Sequence, residues 1–141
     1  MMRRIQAAVG MIIALAFLLV ACGGSTDASL GSEVATDAGT YNEITVAELN
    51  PLLDDPQFIV VNTHLPFAGD IPGTDLSIPY DQLEQHLDQL PDPQAKVVVY
   101  CKGESMSTIA AETLTQLGYT SVYKVDGGMV AWEDAGFTLD Q

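Results

Sequence analysis

The stretch Val97-Val98-Val99-Tyr100-Cys101-Lys102-Gly103-Glu104-Ser105-Met106-Ser107 decides the fold. Four apolar residues in a row, three of them β-branched, predict a strand buried on both faces. The polar, glycine-containing run that follows predicts a short loop. Ser107 to Leu117 then reads as a helix, with Ile109, Thr113, Leu114 and Leu117 inward and Gly118 as its stop. Strand, tight loop, helix is the repeating unit of a parallel sheet, and such sheets bind ligands just beyond the carboxyl ends of their strands. Cys101 stands at that place. A loop curling around its sulfur aims backbone N–H groups at it, and with the helix N-terminus behind them these favour an anionic sulfur over a neutral thiol. Lys102 adds a cation, Gly103 permits the tight path, and Ser105 and Ser107 offer hydroxyl donors. A buried free cysteine acting as a small hydrophobe is the plainer alternative.

The same alternation extends on both sides. Upstream, Thr45-Val46-Ala47-Glu48 is a capping box opening a helix that Pro51 and Pro56 keep short. Phe58-Ile59-Val60-Val61 reads as a buried strand, Pro66 to Gly73 as a loop, and Leu76 to Ile78 as a brief strand. Asp81 to Leu90 reads as a helix with Leu83, Leu87 and Leu90 on one face until Pro91. Downstream, Ser121 to Val125 is a last strand and Met129 to Ala135 a last short helix, joined by a Gly127-Gly128 turn too unspecific to signal phosphate binding. Trp132 reads as a core anchor. The predicted class is α/β with a mostly parallel sheet covered on both faces, over about 100 residues.

Composition narrows the function. The 141 residues suit one domain. Lys and Arg total 5 against 19 Asp plus Glu, a net charge of −14, and both arginines stand at positions 3 and 4. So acidic a surface repels phosphate backbones, so no nucleic-acid partner is expected. His64 and His86 are too far apart, without a third ligand, to suggest a metal site. An arginine six residues after the cysteine, as phosphatase chemistry wants, is absent because residue 107 is Ser. A Cys-x-x-Cys pair fails because residue 104 is Glu.

Met1 to Arg4 is basic, the run to Val20 is apolar apart from Gln6, and Leu19-Val20-Ala21-Cys22 resembles the lipobox of bacterial lipoproteins. The run is short for a spanning helix, which needs roughly 20 apolar residues. That resemblance implies a signal peptide over 1–21, cleavage after Ala21, and lipid on Cys22. Two or more acyl chains at about 0.8 kcal/mol per CH2 hold a protein firmly on a membrane, here on the extracytoplasmic side. The segment that follows to Thr40 is rich in Gly, Ser, Thr, Asp and Ala and reads as a flexible linker of roughly 20–25 Å. The folded domain is expected over 41–138.

Tyr-Cys-Lys-Gly-Glu-Ser-Met-Ser from Tyr100, with Ile-Ala-Ala-Glu-Thr-Leu behind it, resembles the active-site loop and helix of the rhodanese superfamily. Asp126 to Phe137 resembles its C-terminal signature, and Ile71-Pro72-Gly73-Thr74 and Ile78-Pro79 resemble two of its other elements. The resemblance implies a three-layer α/β/α fold and a Cys101 that carries sulfane sulfur as a persulfide between a small-molecule donor and a thiophilic acceptor. Lys102, Gly103, Glu104, Ser105, Met106 and Ser107 would form the cradle, with no metal or organic cofactor required. The pattern departs in three places. Asn62, Thr63 and His64 replace an Asp-Val-Arg-like segment, Met106 replaces an arginine that often closes the loop, and the His64-to-Gly69 segment is one residue shorter. With Lys102 offset by Glu104, a donor less charged than thiosulfate is as plausible as thiosulfate itself. A sulfur carrier, binding module or redox sensor without turnover is the rival reading.

Overall fold

In the computed structural model, residues 29–141 are described; the segment expected to be a signal peptide, and Cys22, lie outside them. The elements run β1 (Ser32–Ala35), β2 (Thr40–Ile44), α1 (Val46–Leu49), β3 (Phe58–Asn62), β4 (Leu76–Ser77), β5 (Lys96–Tyr100), α2 (Ser105–Gln116), β6 (Ser121–Val125) and α3 (Gly128–Asp134), with single 3-10 turns at Asn50–Leu52 and Leu83–His86. One six-stranded sheet has the order β1-β2-β6-β5-β3-β4. Every pairing in it is parallel except that of β1 with β2.

Alternation along the central strand builds the two faces. Val97 and Val99 join Val61, Val122, Ala110, Ala111 and Leu114 beneath α2. Val98 and Tyr100 join Val60, Val125, Leu49, Met129 and Trp132 beneath α1 and α3. The sheet is therefore a middle layer between helices, as expected, and all four parallel pairings point their carboxyl ends to one edge. No helix among the described residues is long and apolar enough to cross a membrane.

Four sequence expectations are corrected. First, part of the segment read as linker is ordered: Ser32–Ala35 forms β1, closed onto β2 by a turn in which Thr36 Oγ1 accepts the N–H groups of Ala38 and Gly39. Backbone pairing orders this edge strand while three of its four residues stay exposed, so an apolar-content criterion misses it. Asp140 pairs with Asp70 at the other end, so the folded unit extends on both sides of 41–138. Second, the Asp81–Leu90 helix shrinks to a 3-10 turn, Leu83–His86, whose N-cap Gln82 makes no side-chain cap bond. Without a cap, a segment hemmed by Pro79 and Pro91 does not repay helix nucleation; Leu83 and Leu90 are buried while Leu87 faces solvent. Third, α2 begins two residues early and its inward face is rotated. Leu114 is buried and Leu117 packs against the core as expected, but Ile109 is 45% exposed, and Ser107, Ala110, Ala111 and Thr115 are buried beside Leu114. Small side chains on that stripe let the helix approach the sheet closely. Fourth, the strand Thr40–Ile44, which the sequence reading passed over, inserts beside β6.

Candidate active site

Cys101 follows the last residue of β5 and is 2% exposed. Its thiol donates to Ser107 Oγ at 3.4 Å, and Ser107, itself buried, donates to the carbonyl of Glu104 at 3.0 Å. The ring of amide donors expected around the sulfur is thus not closed on the bare thiol, which is a donor here. The physical reason is that N–H groups gain most from an acceptor that carries charge, as a thiolate or persulfide would.

The loop peptides are nevertheless held in a defined way. Met129 N–H donates to the Cys101 carbonyl and Val130 N–H to the Lys102 carbonyl, each at 3.0 Å. In a planar trans peptide the C=O and N–H point opposite ways, so anchoring these carbonyls on α3 turns the Lys102 and Gly103 N–H groups away from α3. Gly127 and Gly128 make this possible: their φ values are +71° and +52°, and a Cβ on Gly128 would lie 2.2 Å from the Cys101 carbonyl oxygen. The Gly-Gly pair is a left-handed turn, as expected, and also a point of close backbone approach.

The other expected residues take separate positions. Lys102 is exposed. Ser105 opens α2 and is exposed; Met106 accepts the Leu65 N–H on its Sδ at 3.4 Å, tying the β3–β4 loop to the site. Glu104 reaches β6 and the turn before α3 with its carboxylate, accepting from Lys124 Nζ and from the Gly127 N–H. Among the described residues its ion pair is with Lys124 rather than with Lys102. His64 lies beside the site: burial first, and then the Lys102 cation, lower its pKa, and its Nδ1 is buried without a hydrogen-bond partner. Asn62 serves the scaffold, donating to Gly69 O at 3.0 Å and Asp70 Oδ1 at 2.8 Å, and Thr63 Oγ1 donates to Tyr100 O at 2.8 Å. His86 bonds only to neighbouring Gln89.

Sequence reading missed Lys124. This residue is 2% exposed and pairs with Glu43 Oε2 at 2.6 Å as well as with Glu104. Burial lowers its pKa, but the hydrogen bonds it donates to Glu104 and Glu43 outweigh that and the net direction is upward. A lone charge inside the apolar strand Val122-Tyr123-Lys124-Val125 was the available signal. Asp126 joins the group, and the carboxylates of Glu43, Glu104 and Asp126 all lie within 4.8 Å of one another.

Comparison with known proteins identifies the family. The family model described as Rhodanese-like domain matches residues 45–135. A tRNA uridine(34) hydroxylase of Erwinia tasmaniensis is 32% identical over 80% of this chain, but the match covers only 33% of that protein. The thiosulfate sulfurtransferase GlpE of Pseudoalteromonas translucida is 29% identical over 67% of this chain and 91% of its own length. The crystal structure of a rhodanese-related protein from Thermoplasma volcanium superposes with a TM-score of 0.59 at 27% identity, over 69% of this chain and 95% of the other.

Proposed function

The chain belongs to the rhodanese-like domain family, and from that membership we propose that it is a sulfurtransferase whose Cys101 carries sulfane sulfur, held by lipid on Cys22 at the outer face of a membrane. The observation that carries this reading is the placement of Cys101: a single thiol at the carboxyl end of the central strand, on Ser107, inside a loop whose carbonyls are drawn off by α3. The near full-length match to a thiosulfate sulfurtransferase supports it. The net charge of −14 sets the chain apart from an RNA-acting role such as the name of the hydroxylase suggests.

The chemistry is two displacements at sulfur. The Cys101 thiolate attacks the outer sulfur of a donor persulfide or of thiosulfate. The donor's S–S bond breaks, its thiolate or sulfite leaves, and a Cys101 persulfide remains. A nucleophilic acceptor then takes the terminal sulfur, and the thiolate returns. The sulfur atom carries its own oxidation level throughout, so no outside oxidant enters. As the persulfide forms, Ser107 can turn its hydroxyl from the Glu104 carbonyl toward the new charge, and the Lys102 and Gly103 N–H groups supply further donors.

Purified protein given a sulfane donor and then cyanide is expected to release thiocyanate, and Cys101→Ser to abolish release. A persulfide that forms on Cys101 without turnover would instead make the chain a carrier or sensor. No sulfur on Cys101 from any donor overturns both. Mass analysis of the N-terminal peptide tests the anchor: diacylglyceryl mass on Cys22 supports it, an intact Met1 start overturns it.

A further inference from the structure

Glu104 is the N-cap residue of α2, yet it makes no side-chain cap bond there. An acidic N-cap side chain ordinarily accepts from the first N–H groups of its own helix. This one reaches across to β6 and α3, where Oε2 accepts from Lys124 and Oε1 from the Gly127 N–H. The Lys124 side chain is 3% exposed. A lysine so buried is tolerated only when paired, and its partners are Glu104 and Glu43, 2.6 Å away. The groups facing Glu104 are Lys124 on β6, Glu43 on β2 and Asp126 in the following turn, with Tyr41 and Glu112 bordering the cluster. Three carboxyls crowd around one cation, so each bears on its neighbours' charge. The hydrogen bond from Asp126 to Glu104, and then burial, raise the Asp126 pKa; burial pushes Glu104 up, but its bonds from Lys124 and Gly127 outweigh this and hold it low. The bonds that Glu104 accepts from Lys124 and the Gly127 N–H favour its charged form, and Glu104 is the carboxylate of the cluster that belongs to the Cys101 loop.

We propose that Glu104 is a positioning residue: its charged bridge to Lys124 and Gly127 latches the Cys101 loop against β6 and α3, and so holds the loop N–H groups where the sulfur is charged. The consequence for turnover rests on the sulfur-transfer reading of Cys101, whereas the latch is a property of the free protein and is measured separately. Without it the loop keeps its carbonyl bonds to Met129 and Val130 but loses its only charged tie among the described residues, and Gly103, with no neighbour within 4 Å of a Cβ position, offers no packing to replace it.

The test uses the full chain in a Cys22→Ser background, so that Cys101 is the single thiol. Glu104→Gln removes the charge while leaving an amide oxygen for the Gly127 N–H; Lys124→Met removes the other half of the bridge. Tyr119→Phe, which loses a bond to Pro91 O near the opposite ends of the strands, is the comparison for general destabilisation. The latch predicts that amide hydrogen exchange of 101–106 and alkylation of Cys101 by iodoacetamide both rise by at least about tenfold in Glu104→Gln and change less than about twofold in Tyr119→Phe. In the sulfur-transfer assay the loss is expected in kcat, with the donor KM changed less than about threefold. Loop exchange or alkylation that stays at the parent level in folded Glu104→Gln overturns the latch, whether or not Lys124→Met folds. An equal rise in Tyr119→Phe, or a loss confined to KM, also overturns it. If the parent transfers no sulfur, the proposed activity falls while exchange and alkylation still decide the latch.

Discussion

Gly128 is where the site depends on the absence of a side chain. At φ +52° an alanine incurs a modest conformational cost, but its Cβ would also meet the carbonyl oxygens of Cys101 at 2.2 Å and Gly103 at 2.8 Å, both backbone atoms that cannot swing aside. Gly118 separates the two effects, since its φ is +91° and nothing lies within 4 Å of a Cβ there. Urea unfolding is expected to show a loss of about 1–2 kcal/mol for Gly118→Ala. For Gly128→Ala the loss is expected to exceed that by about 2 kcal/mol, because the Cys101 loop must move to admit the methyl group. Equal losses for the two would mean that the loop yields freely and that the close approach does not define the site. The Lys124 cluster is a second case in which one residue's role comes from a distant neighbour: its two carboxylates come from β2 and from the loop before α2.

At the scale of elements, the loop between β3 and β4 is fastened to β5 at its start by Thr63 on the Tyr100 carbonyl and further along by the Tyr100 phenol. Tyr100 Oη accepts the Ile71 N–H at 3.0 Å, shares a 2.6 Å bond with Thr74 Oγ1 and reaches Asp70 Oδ1 at 3.3 Å. Asp70 in turn gathers Asn62 and Ser77. Tyr100→Phe leaves a buried N–H without its partner and is expected to cost about 1–3 kcal/mol in urea unfolding at neutral pH. Burial drives the Tyr100 pKa far above its ordinary value, the bonds from Thr74 and Ile71 opposing it. The neutral phenol therefore stabilises the fold fully below about pH 10, the unfolded value, and that stabilisation is lost as pH climbs above it. Tyr41, Tyr119 and Lys124, also raised, act with the same sign. The parent is thus expected to weaken steeply on the alkaline side and Tyr100→Phe less steeply; identical slopes would remove Tyr100 from the account. These ties mark what the sequence could not disclose. The strands β3, β5 and β6, the Thr45–Glu48 capping box and the placement of Cys101 before a helix were legible, because apolar runs and caps are local patterns. Strand β1, the inward stripe of α2 and the Glu104–Lys124 bridge were not, because each is decided by a partner on another element rather than by a local pattern.

For the molecule as a whole the governing quantity is charge. Three lysines face 19 acidic residues once the two N-terminal arginines are set aside. One of those lysines, Lys124, is already bound to two glutamates, so Lys102 is the exposed cation beside the sulfur. In the proposed sulfur transfer, thiosulfate would approach as a dianion across this field, whereas the persulfide of a small neutral thiol carries at most one negative charge. Raising salt shortens the screening length from about 30 Å at 10 mM to about 8 Å at 150 mM, which removes most of the long-range repulsion but little of the contact chemistry. The kcat/KM for thiosulfate is therefore expected to rise by about threefold or more over that range, and the value for the neutral thiol's persulfide to rise by a smaller factor. Lys102→Gln should lower the thiosulfate value more than the persulfide value at either salt. Steady-state kinetics with the two donors at both salt concentrations checks this. A thiosulfate rate that falls with salt would mean that the local field at Cys101 is attractive and that Lys102, rather than the acidic surface, governs donor choice.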